Sequence, residues 1–257
     1  MAFAASRREE AERVVIYLLP GTRRRIAFFL SLVLVLLGAR LGLSIQGQEK
    51  ETVARMAPVS HVNTGQPHVG LMVDVSQARP EQVQAALAVV ESLRVKGTWF
   101  VDATFVESQP TVVTEIVSKG HDLGLKGTDQ APIDRLSQVE IKERVQRSRQ
   151  ALAKAGLEPA PFLYPPLGRF SDAVVTVAFQ EGYQAVKPGF DASVMRGKEA
   201  DAAKKLAGSM KPGDIVVVKV GRKGLEPEQR YLTALVSSLK EHGLAAVPLS
   251  ALVKGVK

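Results

Sequence analysis

The chain has 257 residues, 46% of them apolar and 23% charged, which bounds it to one sizeable α/β domain or two small ones. Cysteine is absent, so a disulfide framework, a thiolate zinc site and a cysteine nucleophile are excluded. The formal charge of +8 is uneven: residues 1–25 hold six arginines against three glutamates, whereas 27 Lys/Arg face 23 Asp/Glu after residue 45. With one Trp and no basic stripe interleaved with aromatics, no nucleic-acid partner is expected.

Residues 1–25 read as a basic cytoplasmic N-terminus. Ile26 to Ala39 is an apolar run with one Ser, and LGLSI extends it past Arg40 to Ile45. Twenty residues at 1.5 Å each reach about 30 Å, a bilayer core. Arg40, near the far end, can snorkel to the headgroups. Arg23, Arg24 and Arg25 precede the run, so the positive-inside rule puts the N-terminus inside and the rest outside. Residues 26–45 are expected to be an uncleaved transmembrane anchor in a bacterial cytoplasmic membrane. A cleaved signal peptide has the same charge order, but RLGLSIQG lacks the A-x-A pattern. A buried core helix gives the triple arginine no role. Residues 46–67 are polar, without sustained period, and read as a linker.

From residue 68 to 257, β-rich runs alternate with amphipathic helices. VGLMVDV (69–75) is a strand, and residues 80–97 repeat Val83, Ala86, Leu87, Val90 and Leu93 with helical spacing. TWFVDA (98–103), helix 110–120 and strand 121–127 follow. Helix 137–156 opens with Ser137 three residues before Glu140, a capping-box spacing. FLYPP (162–166) ends a strand, and 171–182 is helical. YQAVKPG and DIVVVKVG supply strands, and helix 226–243 precedes LAAVPLS. The alternation predicts an α/β fold, a parallel sheet closed into an irregular or partial (β/α) barrel. Functional groups then belong at the strands' carboxyl ends: Asp74, the neighbourhood of Lys126, Tyr164 to Gly168, Lys187 to Asp191, and Lys219.

Over residues 68–253 the order of segments resembles the polysaccharide deacetylase (NodB-homology, carbohydrate esterase family 4) domain. The resemblance rests on KGTWFVDATFVESQPTVVTEIVSKGHDLG, YPPLGRFSD, EGYQAV, KPGDIVVVKV and LKEHGLAAVPLSALV, five segments in the right order and spacing. It implies a zinc site of one Asp and two His, with a second Asp as base and a distant His as acid. The family's TFDDG reads MVDVS here: Asp74 matches the base, and Val75 and Ser76 take the places of the metal Asp and the Gly. The two metal His positions hold Lys126 and Gln130. In the RPPYG segment Tyr164 replaces the Arg, Pro165, Pro166 and Gly168 remain, and Leu167 replaces the Tyr. Asp191-Ala192-Ser193-Val194-Met195 keeps only the first Asp of DxxDW, and Lys219 stands for the acid His.

Valine and lysine cannot hold zinc and glutamine holds it poorly, so no metal and no cofactor are expected. The Lys126 ammonium is expected to pair with Asp74 and replace the missing metal charge. Asp74 is thereby a base position without function. Tyr164, Pro165, Pro166, Leu167, Lys126 and Lys219 are the candidate ligand-binding residues. Lys126, Lys187 and Lys219 together suggest either lysines stretching to solvent or a basic crevice for an anionic group. His121 reads as a local structural hydrogen bond, His61, His68 and His242 as isolated, and KKLAGSMK (204–211) as a solvated helix face. Three functions follow. One is a tethered, non-catalytic relative that binds cell-envelope glycan such as peptidoglycan, or an envelope protein. The others are an active hydrolase deacetylating N-acetylated sugar polymers, and a structural subunit of an envelope assembly.

Overall fold

A computed structural model describes residues 57–75, 77–127, 132–192, 199–221 and 225–255. The expected cytoplasmic segment, the anchor at 26–45 and the linker up to residue 56 lie outside these residues, as do Ser76, Gln130 and Ser193 to Met195. Among the described residues no helix is long and apolar enough to cross a membrane.

Eight parallel strands form the sheet: β1 His68–Asp74, β2 Thr98–Val101, β3 Asp122–Leu125, β4 Phe162–Leu163, β5 Gln184–Ala185, β6 Phe190–Asp191, β7 Ile215–Lys219 and β8 Ala245–Val247. Their order is β5-β4-β3-β2-β1-β7-β6, with β8 also paired to β1, which makes an open half-barrel. β8 takes the first half of one β1 edge (His68 to Gly70), and β2 takes the second half (Met72 to Asp74). Among the described residues the sheet is accompanied by helices α1 Pro80–Ser92, α2 Ala103–Ser108, α3 Pro110–Ser118, α4 Gln138–Lys154, α5 Asp172–Gln180, α6 Glu199–Ser209, α7 Leu225–Glu241 and α8 Leu249–Lys254.

Strand alternation sorts the core into two clusters. Val69, Leu71, Val73 and Val75 belong to the layer between sheet and helices. Met72, Phe100, Phe162, Tyr164, Val217, Leu249 and Leu252 form the inner core. The capping box expected at α4 is present: the Ser137 N–H donates to Glu140 Oε2 at 2.9 Å, and the Glu140 N–H donates to Ser137 Oγ at 3.4 Å.

Several boundaries differ from expectation. The helix read over 80–97 stops at Ser92, because Arg94 turns left-handed (φ 55°) and the chain drops to Gly97. TWFVDA ends as a strand at Val101, since the Asp102 carboxylate accepts from the Phe105 N–H at 2.8 Å and caps α2. YQAVKPG yields only Gln184–Ala185, and LAAVPLS turns into α8 after Pro248.

Residues 57–62, inside the stretch read as linker, run along the half-barrel's open seam. Val59 bridges Val186 in parallel, and His61 bridges Asp214 antiparallel. The Val59 N–H donates to the Ala185 carbonyl at 2.8 Å and the Val62 N–H to the Gly213 carbonyl at 2.9 Å. His61 Nδ1 lies 2.9 Å from Asp214 Oδ1, so His61 is not isolated. Beside this strap, at the strands' amino ends, opens an apolar groove of about 660 Å³ lined by Val59, Phe162, Phe179, Tyr183 and Val253. It lies at the end opposite the expected site.

Candidate functional site

The carboxyl ends of β1, β3, β6 and β7 bring four charged side chains together. Lys126 Nζ donates to Asp74 Oδ2 at 2.6 Å, and Lys219 Nζ donates to Asp191 Oδ2 at 2.5 Å. Asp74 and Lys219 are register partners on adjacent strands, and Asp191 sits opposite Val217. The backbone therefore lays out a row of alternating charge, Lys126, Asp74, Lys219, Asp191, across the barrel mouth.

The first pair is deeply enclosed, with Lys126 1% and Asp74 7% exposed. Two charges so far from water are tolerated only when each compensates the other. The aliphatic stem of Lys126 suits burial, and its ammonium lies 5.2 Å from the centroid of the Tyr164 ring. That ring packs edge-to-face on Phe100 at 5.7 Å. Burial, joined by the Asp74 and Asp191 charges, pushes the Tyr164 hydroxyl well above the usual tyrosine range. Tyr164 is thus a neutral, buried floor beneath the cation and not a rim contact.

The second pair is partly open, with the Lys219 side chain 16% and the Asp191 side chain 27% exposed. Neither Lys126 nor Lys219 stretches to solvent, and neither offers an uncompensated charge to an anion. The expected basic crevice is therefore reduced to Lys187, which is exposed. The reason is electrostatic: a carboxylate stands within hydrogen-bond reach of each of the other two lysines.

Pro165 and Pro166 are buried and open the 3-10 turn Pro166–Gly168. Within it Leu167 (φ 58°) and Gly168 (φ 65°) are both left-handed. The turn swings the Leu167 side chain outward, where it is 47% exposed. A β-carbon at Gly168 would meet the Tyr164 hydroxyl at 2.9 Å, so the glycine is required both by its φ and by this contact. Tyr231, which no motif in the sequence singles out, approaches from α7. Burial, with the Asp191 charge adding, pushes its hydroxyl up to about 12.

The zinc implied by the resemblance can be tested against these side chains. Val75 offers no lone pair and is fully buried in the outer apolar layer. The protonated Lys126 has none either and repels a second cation. As placed, the two do not fit a zinc ion, and among the described residues no three His, Cys, Asp or Glu side chains converge.

The histidines lie elsewhere. His121 Nδ1 accepts from the Gly97 N–H at 3.1 Å and the ring packs edge-on to Trp99 at 5.4 Å. Burial, with Lys96 next, lowers its pKa to about 4. His242 Nδ1 sits 2.8 Å from the Ser238 carbonyl oxygen. His68 opens β1. On α6, Lys204 and Lys205 are exposed and Leu206 and Ala207 buried, as a solvated helix face requires.

Residues 61–186 match the family model described as polysaccharide deacetylase. The uncharacterised protein YlxY of Bacillus subtilis (strain 168) is 23% identical over 125 residues, covering 48% of this chain and 39% of that relative. The chain thus matches about two fifths of YlxY's length. A peptidoglycan-N-acetylglucosamine deacetylase of Bacillus cereus is 22% identical over 187 residues, covering 68% of this chain and 83% of that protein. Among solved structures, a carbohydrate esterase family 4 pseudoenzyme from Bacillus anthracis superposes with a TM-score of 0.70 at 21% identity, over 78% of this chain and 70% of that one. The half-barrel thus has the fold of the carbohydrate esterase family 4 structures, and residues 61–186, just under half of the chain, match the polysaccharide deacetylase domain.

Proposed function

We propose that this protein is a non-catalytic member of the polysaccharide deacetylase family, anchored in a bacterial cytoplasmic membrane by residues 26–45, whose outward-facing barrel binds cell-envelope glycan such as peptidoglycan. The carrying observation is the buried Lys126–Asp74 pair at 2.6 Å. The Lys126 ammonium takes Asp74 Oδ2 and brings no lone pair for a metal ion, which suits a site held together by a charge pair more than one built to activate water. Val75 brings no lone pair either, and Lys219, bound to Asp191, stands where the resemblance implies an acid.

The remaining rim suits recognition better than chemistry. Leu167 presents an apolar platform for the C–H face of a pyranose ring, and the half-open Lys219–Asp191 pair offers a donor and acceptors to hydroxyls. Two relatives support an envelope glycan as ligand, being named as peptidoglycan deacetylases acting on its N-acetylglucosamine or N-acetylmuramic acid. The Bacillus anthracis pseudoenzyme supports the loss of chemistry on a retained scaffold, since a mutant of it is described as having restored enzymatic activity.

The test is co-sedimentation of the full-length protein with purified peptidoglycan, with acetate release from peptidoglycan and chitooligosaccharide measured alongside. Retention without acetate is expected, and Leu167→Asp should abolish retention. Acetate release would overturn the non-catalytic reading in favour of a working deacetylase. Absence of retention would overturn the glycan reading and leave an envelope protein as partner, or a structural role.

A further inference from the structure

The residues that do not fit a metal ion fit each other. Asp74 lies at the carboxyl end of β1, 7% exposed, where an ionised carboxylate must find a cation. Lys126 reaches it from the end of β3, across the intervening β2, its ammonium above the Tyr164 ring and bonded at 2.6 Å. Val75, next in the chain after Asp74, turns its side chain into the helix layer and leaves the mouth to the lysine.

We infer that Lys126 is the site's resident cation: it takes over the charge role of a divalent ion and, by occupying Asp74, excludes one. The barrel mouth then assembles without metal and is indifferent to it. The tether makes the difference from an ion. A covalently attached ammonium cannot dissociate, cannot be chelated, and needs no supply from outside. Its single charge also balances Asp74 alone, while Asp191 has Lys219 of its own. The inference concerns how the site is held together, so it stands or falls separately from the glycan-binding reading.

The experiment is thermal unfolding of the full-length protein in EDTA, in Zn²⁺ and in Mn²⁺, for wild type, Lys126→Met and Lys126→Met/Asp74→Leu. The wild-type Tm should be the same in all three conditions. An ion bound at about a hundred times its dissociation constant would instead raise it by roughly 5–10 °C. Lys126→Met takes the paired cation from a buried carboxylate and should lower Tm by about 10 °C. The double variant removes both charges and should recover most of that loss. A wild-type Tm that rises with Zn²⁺ or falls in EDTA overturns the inference. So does a double variant no more stable than the single one. If Lys126→Met fails to fold while the double variant folds, the coupling is confirmed. If neither folds, the wild-type metal response decides.

Discussion

Gly124→Ala probes the support beneath the site. Gly124 and Phe100 are register partners on β3 and β2. A β-carbon at Gly124 would lie 2.4 Å from Phe100 Cε1, 2.6 Å from Cδ1 and 2.8 Å from Cζ. The glycine's φ is not left-handed, so the backbone accepts alanine and the whole cost is steric. The ring cannot retreat freely, because Phe100 is fully buried and rests against Tyr164, which in turn underlies Lys126. Overpacking of this kind costs about 1–3 kcal/mol, and with no slack around the ring the upper end, about 3 kcal/mol, is expected. For a domain of this size that lowers Tm by about 6–12 °C. Urea unfolding followed by the fluorescence of the chain's single tryptophan, Trp99, reads the loss directly. Adding Phe100→Leu should relieve the clash and give a favourable coupling of about 1 kcal/mol or more. A Gly124→Ala variant within about 0.5 kcal/mol of wild type, the usual scatter for harmless substitutions, would show that the ring has room and does not prop Tyr164.

Three further outcomes are expected. Leu167→Gly should stabilise the fold by about 1 kcal/mol, since a left-handed non-glycine residue costs that order, while weakening retention on peptidoglycan; a loss of stability would mean that the side chain holds the turn together. His121, with a folded pKa near 4 against 6.5 unfolded, stays neutral while the unfolded chain binds a proton. Its contribution to stability is therefore complete above about pH 6.5 and is lost as pH falls toward 4, by about 3 kcal/mol in all. His121→Gln, whose amide oxygen can still accept from Gly97, should flatten that slope in urea titrations at pH 7 and 4.5. Ser137→Ala breaks the α4 capping box and should cost about 1 kcal/mol in the same assay.

The long elements were legible because their periods run for many residues: the repeat through Val83, Leu87 and Val90 survives as the buried face of α1. Of the two-residue strands, β4 and β5 lie within FLYPP and YQAVKPG, both read as strands, but their bounds were not legible and β6 was not read at all. β5 and β6 are too short to show any alternation and exist because neighbouring strands offer them partners. The strap over residues 57–62 reads as polar linker, since its pairing is made by backbone atoms whose donors carry no side-chain signature. At the site, matching motifs placed Asp74, Lys126, Tyr164 and Lys219 at one end of the barrel. The partner of Lys219 was hidden, because Asp191 lies 28 residues away and the two meet only when β6 and β7 pair. Tyr231 was missed for a similar reason: it arrives on a helix, outside every strand-end motif.

β1 is flanked on one edge by β7 and on the other by β2 and β8, and its register with β7 joins Gly70 to Ile215. Those partners are 145 residues apart in the chain. At ribosomal speeds of about 5–20 residues per second, the first strand waits roughly 7–30 s for the one that covers its edge. During that interval a run of six residues that end up buried, Val69 to Asp74, has an unpaired edge. Early pairing with β2 leaves that edge open until β7 is made. The strand that carries the site's central carboxylate is among the first synthesised and among the last enclosed.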